Sequence, residues 1–243
     1  MNEVLMGSIL SALSTGLGAL PILFLQNVTH RWRDMLLAFT AGVMMAAALL
    51  SLIPEALANG GFYPTAIGLL LGVGALTTLE KNIPHIDLEH TKSGIQIEQK
   101  ALLVVAAITL HNIPEGLSVG VSYASTVSDA GNLVAIAIGF QNAPEGFLVA
   151  LFLANQRLSK YVALLIATLT GAVEIFASLA GYFMTSYISW LVPYGLAFAA
   201  GAMLFIIYKE LIPESHGDGN ERPATYSFIL GLLFMLFIIQ LFG

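Results

Sequence analysis

Two six-residue words carry most of the chemistry in this sequence. His111-Asn112-Ile113-Pro114-Glu115-Gly116 is followed thirty positions later by Gln141-Asn142-Ala143-Pro144-Glu145-Gly146. Residues four apart on a helix share a face, and residues three apart border it. His111, Asn112 and Glu115 therefore bring imidazole, amide oxygen and carboxylate into one small volume. Gln141, Asn142 and Glu145 repeat the pattern with an amide in place of imidazole. Imidazole nitrogen with carboxylate oxygen suits borderline divalent metals such as Zn²⁺ and Fe²⁺, whereas carboxylate without a fixed nitrogen suits harder ions. Pro114 and Pro144 lack an amide hydrogen, so they free the carbonyls of Leu110 and Phe140. Freed carbonyls are tolerated in a membrane helix where they line a cavity or are otherwise satisfied. Gly116 and Gly146 allow close approach beside each carboxylate. A further carboxylate, Glu174 in TGAVEIFAS, stands in a separate apolar stretch.

The elements that hold these residues are apolar almost throughout. Of 243 residues, 57% are hydrophobic and only 10% are charged, against roughly 25% charged in ordinary soluble domains. Nine Lys and Arg with fifteen Asp and Glu cannot cover a soluble surface of this size. Eight apolar stretches are predicted as helices, at about 4–26, 34–56, 62–80, 100–124, 130–156, 161–184, 189–213 and 224–242. Most reach the ~20 residues that cross hydrocarbon. The expectation is one all-α integral membrane domain over 1–243, with a polar loop at 81–99.

At 1.5 Å rise per residue, Glu115, Glu145 and Glu174 fall near the membrane midplane. A charge there costs on the order of 3 kcal/mol to insert. The three carboxylates should therefore face one another, water or a bound cation. Together they bring a charge of −3; one divalent ion leaves −1, and two give +1. Like carboxylates in a poor solvent repel one another, so metal entry that displaces protons would permit proton coupling.

The basic residues lie on alternating connections. Arg31 and Arg33 follow the first stretch, Lys81, Lys92 and Lys100 the third, Arg157 and Lys160 the fifth, and Lys209 and Arg222 flank the seventh connection. The positive-inside rule puts these four connections in the cytoplasm and both termini on the extracytoplasmic side of a cell (inner or plasma) membrane. The N-terminal stretch lacks the basic region of a signal peptide and is long enough to span. There is no Cys, so thiolate chemistry is excluded. The formal charge of −6 argues against a nucleic-acid partner. No nucleotide-binding motif is present, and no connection has room for such a domain.

An internal repeat accompanies this pattern. GVMMAAALLSLIPEA at 42–56 matches GAMLFIIYKELIPES at 201–215 in Gly, Met and LIPE at constant offset. By the charge pattern these second and seventh stretches run in opposite directions. That predicts a 3+2+3 inverted repeat, stretches one to three against six to eight around the central pair, a recurring plan of secondary transporters.

On these features the chain resembles the ZIP (Zrt/Irt-like) family of divalent metal-ion transporters, in its short prokaryotic form. The residues carrying the resemblance are HNIPEG, QNAPEG, Glu174 and ELIPESH at 210–216, within the eight-helix plan. The resemblance implies two neighbouring metal positions. One would use His111, Glu115, Gln141 and Glu145, with Met44 (or its neighbour Met45) approaching. The other would use Asn112, Glu115, Asn142, Glu145 and Glu174. It implies a secondary transporter, not an enzyme, that imports Zn²⁺ and as further cargo Fe²⁺, Mn²⁺ or Cd²⁺, without a resident cofactor. It also implies elevator-like movement of helices one, four, five and six against the others, and a homodimer in the bilayer. Many members have His where this chain has Gln141, and some have Asp where it has Asn142. Lower affinity, or a less populated second position, is expected.

His85 and His90, beside Asp87 and Glu89, resemble the family's metal-handling loop. Glu210, Glu214 and His216 form a candidate exit station, and Glu55 is its counterpart at the outer mouth. Two other classes compete. A divalent-metal channel would keep the site and drop alternating gates. An intramembrane metalloprotease would want HExxH, and Asn112 stands where its base should be.

Overall fold

The computed structural model describes residues 1–25, 28–82, 97–126, 129–156, 158–217 and 219–242. His85 and His90 lie outside the described residues. Among those described, all regular structure is helical. Helix α1 covers Asn2–Ala19 and closes in a 3₁₀ turn, Leu20–Leu23. Helix α2 runs His30–Gly60, α3 Phe62–Asn82, α4 Ile97–Tyr123 and α5 Ala130–Asn155. Helix α6 is Lys160–Tyr187, α7 Ser189–Glu214 and α8 Glu221–Phe242. Seven of these are long and apolar enough to cross a membrane by length and composition. The remaining one, α4, is 27 residues long and carries HNIPEG. The chain is a multi-pass membrane protein.

Local chemistry sets several boundaries. Thr29 caps α2 by accepting from the Trp32 amide at 3.4 Å, and Ser159 caps α6 by accepting from Val162 at 3.3 Å. Gly61 ends α2 at φ 72°, a conformation that favours glycine. Both α2 and α7 widen into a π-helical turn, at Ala48–Leu52 and Ile207–Leu211. In each case the turn stands directly before Ile-Pro-Glu. Pro54 and Pro213 have no amide hydrogen to give back, and the widened turn absorbs the clash of their rings with the preceding coil. Pro114 and Pro144, by contrast, sit inside α4 and α5, which run through them as single helices.

The helices can be taken as two groups. α1, α4, α5 and α6 pack on one another; α2 packs on α8 and α7, and α3 on α7; the groups in turn pack together through α4 on α7 and α2 on α5. Glycines set the closest approaches in both groups. Gly42 of α2 lies under the carbonyl of Phe228 in α8, and Gly231 of α8 lies under that of Phe39 in α2. Gly201 of α7 meets the Leu69 carbonyl of α3, and Gly72 of α3 meets that of Phe198 in α7. A Cβ at any of the four would overlap backbone oxygen. These contacts are the same pair of contacts made twice: Phe39 and Phe198, Gly42 and Gly201, Leu69 and Phe228, Gly72 and Gly231 are each 159 positions apart. The other group repeats the device. Gly116 of α4 abuts the carbonyl of Glu174 in α6, and Gly146 of α5 abuts that of Thr15 in α1. Thr15 and Glu174 are again 159 apart.

Large apolar side chains that remain exposed, such as Leu70 of α3, Phe176 of α6 and Phe237 of α8, point away from these contacts. In water they would be costly; against lipid they are the expected surface.

Candidate transport site

The two six-residue words meet where α4 and α5 cross inside the first group. Glu115 and Gln141 are wholly buried, and Asn112, Asn142 and Glu174 are buried to within 1%. Gln141 donates through Nε2 to Oε1 of Glu115, tying the words together. Asn142 donates through Nδ2 to Oε1 of Glu174 at 2.7 Å, which brings α6 to the same point. Helix α1 closes the fourth side: Ser11 Oγ donates to Glu174 Oε2 at 2.8 Å, and the Ser11 carbonyl accepts from Asn142 Nδ2 at 3.2 Å. Glu115 lies within electrostatic reach of both Glu145 and Glu174.

The hydrogen bonds do not saturate this cluster. Asn112 Oδ1 and Nδ2, Glu115 Oε2, Gln141 Oε1, Asn142 Oδ1 and Glu145 Oε1 are buried without a hydrogen-bond partner among the described residues. Leaving a buried polar atom unpaired costs about 1–3 kcal/mol. Folded proteins rarely carry several together without a reason. Five of these six atoms are oxygens with free lone pairs, and a divalent cation satisfies several oxygens at once.

His111 borders this convergence, within electrostatic reach of Glu145. Its Nε2 is 2.9 Å from Oε2 of Glu210, on the π-turn of α7. Among the described residues, no three His, Asp or Glu side chains converge as a metal cluster. The convergence is instead one of mixed amide and carboxylate oxygens, with imidazole held by Glu210. The sequence places Glu210 in an exit station with Glu214 and His216, and the structure shows it in contact with the HNIPEG helix. Glu214 ends α7, and His216 Nδ1 lies 2.7 Å from the Ile212 carbonyl and 3.1 Å from Ser215 Oγ. Met44 is fully buried in an apolar core built chiefly from α2 and α7, with Met45 packed against it.

Glu55 is 7% exposed, and its Oε1 has no hydrogen-bond partner among the described residues. It sits where the end of α2 meets the α4–α5 connection. Asn59 donates to the Glu55 carbonyl at 2.9 Å and accepts from Thr126 Oγ1 at 3.1 Å, and Ser125 bonds the Glu55 side chain.

Sequence reasoning passed over Ser11 and Thr15 of α1. Their signal was present: Ser8, Ser11 and Thr15 recur at spacings of three and four, which is one helix face. All three are buried to within 1%. A motif search misses them because hydroxyls in an apolar helix are common.

Comparison with known proteins bears on the whole chain. A family model described as ZIP Zinc transporter matches residues 75–239. The chain is 38% identical over 257 aligned positions to the Zinc transporter GufA of Myxococcus xanthus, covering 100% of each protein. It is 35% identical to the Zinc transporter ZIPB of Bordetella bronchiseptica, over 95% of this chain and 78% of that one. It is 30% identical to the Zinc transporter ZupT of Streptococcus mutans, over 96% of this chain and 95% of that one. The matched span of the family model contains both six-residue words, Glu174 and the π-turn of α7. Helices, buried oxygens and full-length similarity agree: the chain belongs to the ZIP family of transporters.

Proposed function

We propose that this transporter imports divalent cations into the cytoplasm, with Zn²⁺ as its principal cargo and Fe²⁺, Mn²⁺ or Cd²⁺ as further substrates. The observation that carries the reading is the set of five unpartnered buried oxygens around Glu115 and Glu145. The names of the related zinc transporters support zinc as cargo.

Two neighbouring positions fit the residues. The first draws on His111, Glu115, Gln141 and Glu145, with Met44 of α2 as the further ligand that the family resemblance implies. The second draws on Asn112, Asn142 and Glu174 together with the same two bridging carboxylates. An imidazole at the first position favours the softer ion.

Movement of α1, α4, α5 and α6 against α2, α3, α7 and α8 is supported by the glycine-mediated close packing found inside each group. It is also supported by the site residues, which all but Met44 come from the first group. Among the described residues, polar contacts cross between the groups at two places: His111 with Glu210, and Glu55 and Asn59 with Ser125 and Thr126. His111–Glu210 and Glu55–Ser125 join opposite ends of the inverted repeat. Exchanging one for the other during an elevator-like step gives alternating access. The 3+2+3 inverted repeat itself is supported by paired contacts at one constant offset and by matched π-turns. Cytoplasmic placement of the basic connections, with both termini outside, follows from the charge pattern. Homodimerisation follows from the family resemblance alone.

The test is uptake of labelled Zn²⁺, Fe²⁺, Mn²⁺ and Cd²⁺ into proteoliposomes, with and without a pH gradient. Saturable uptake lost in Glu115→Gln supports a carrier. Flux that rises linearly with concentration supports the channel reading.

A further inference from the structure

We infer that Thr15 of α1 supplies its hydroxyl oxygen to the second metal position, completing an all-oxygen ligand set that favours a hard divalent ion such as Mn²⁺. The inference rests on the transport site proposed above.

Thr15 differs from its neighbours in what its hydroxyl does. In helices, Thr and Ser commonly bond the carbonyl four residues back. Thr65, Thr77, Thr109, Thr168 and Thr185 all do so here, at 2.6–2.8 Å. Thr15 does not. The carbonyl it would use is that of Ser11, and Asn142 Nδ2 already donates to it at 3.2 Å. Thr15 Oγ1 is left buried, 1% exposed as a residue, without a close hydrogen bond, and the Glu174 carboxyl is its looser hydrogen-bond neighbour.

Its position is that of a ligand. Thr15 lies beside the Glu174 carboxyl. Its Oγ1 is 2.7 Å from where a Cβ on Gly171 would stand, so α1 and α6 touch there without an intervening side chain. The repeat points the same way. Thr15 and Glu174 are counterparts 159 positions apart, and each presents its carbonyl to the glycine that follows a site glutamate. The α6 copy of this position carries a carboxylate, and the α1 copy carries a neutral oxygen.

The chemistry is distinct from that of the first position. Asn112, Asn142, Glu174 and Thr15 with the two bridging carboxylates offer six oxygens and no nitrogen, a set that suits Mn²⁺ or Mg²⁺ better than Zn²⁺. A hydroxyl adds a ligand without adding charge. The second ion is therefore selected by hardness, with no extra carboxylate to slow its release.

The experiment uses the full chain purified in detergent. Mn²⁺ binding is followed by the loss of its free-ion electron paramagnetic resonance signal, and Zn²⁺ binding by calorimetry. Thr15→Val keeps the shape and removes the oxygen, Thr15→Ala removes it with less bulk, and Thr15→Ser keeps it. Val and Ala should each weaken Mn²⁺ by about tenfold or more, which is 1.4 kcal/mol. Zn²⁺ should change several-fold less, and Ser should restore Mn²⁺ binding. Parent-like Mn²⁺ affinity in Val and Ala overturns the inference. So does an equal loss of both metals, which would make Thr15 a packing residue. If the parent binds neither metal while remaining folded, the transport-site reading fails first and takes this inference with it.

Discussion

Glu210→Gln isolates the competition between the α7 π-turn and the metal for His111. The ring nitrogen facing Glu210 at 2.9 Å is one of only two that imidazole can offer a metal. While Nε2 donates its hydrogen to the carboxylate, it has no lone pair to give. A hydrogen bond to a charged group contributes about 1.5–3 kcal/mol when desolvated. The Glu210 side chain is 26% exposed, and solvent screening brings the figure nearer 1 kcal/mol. Glutamine preserves the size and still accepts through its carbonyl, but without the charge. Releasing His111 from about 1 kcal/mol of competition should tighten Zn²⁺ binding roughly fivefold. Calorimetry on the purified variant reads that change directly. Initial uptake should fall at the same time, because Glu210 no longer draws the imidazole off the bound ion. Unchanged Zn²⁺ affinity with parent-like thermal stability would refute the competition. Weaker binding would mean that Glu210 is itself a ligand.

Further outcomes follow from the same geometry. Asn142→Asp removes the donor that holds Glu174 at 2.7 Å and sets carboxylate against carboxylate. The metal-free protein should lose about 2–3 kcal/mol, and added metal should raise its melting temperature more than the parent's. Equal metal-free melting temperatures would contradict this. Gly42→Ala and Gly201→Ala each push a Cβ into backbone, against Phe228 and Leu69 respectively. Each should cost about 1–3 kcal/mol, and a severe loss in one with none in the other would speak against equivalent packing in the two halves. The chain is free of Cys, so single cysteines report topology: Ser186→Cys should label from outside intact cells and Ser93→Cys should not. The reverse pattern would invert the orientation.

Much of this was legible in the sequence because membrane proteins write their constraints in composition. An all-helical, multi-pass fold follows from apolar length and sparse charge, since lipid leaves the backbone no other way to satisfy itself. Glu115, Gln141, Asn142 and Glu174 lie against one another as partners because a buried carboxylate needs company, and few polar residues are there to provide it. What stayed hidden depends on packing between distant segments. That Asn142 spends its amide on Glu174 and on the Ser11 carbonyl cannot be read from QNAPEG. Nor can the attachment of His111 to Glu210, which lies about a hundred residues away. The π-turns were hidden for another reason. Ile-Pro-Glu near a helix end reads as a stop, yet α2 continues to Gly60 by widening one turn before Pro54.

The central claim is that Glu115 and Glu145 are the shared core of the transport site, each holding a buried oxygen without a hydrogen-bond partner. Glu115→Gln and Glu145→Gln keep side-chain shape and remove one negative charge apiece. The direct measurement is Zn²⁺ binding paired with initial uptake on correctly inserted protein. Both variants should lose binding and transport far more than Gln141→Ala, which removes only a neutral oxygen. If both glutamine variants bind and carry Zn²⁺ like the parent, the ion crosses the membrane elsewhere.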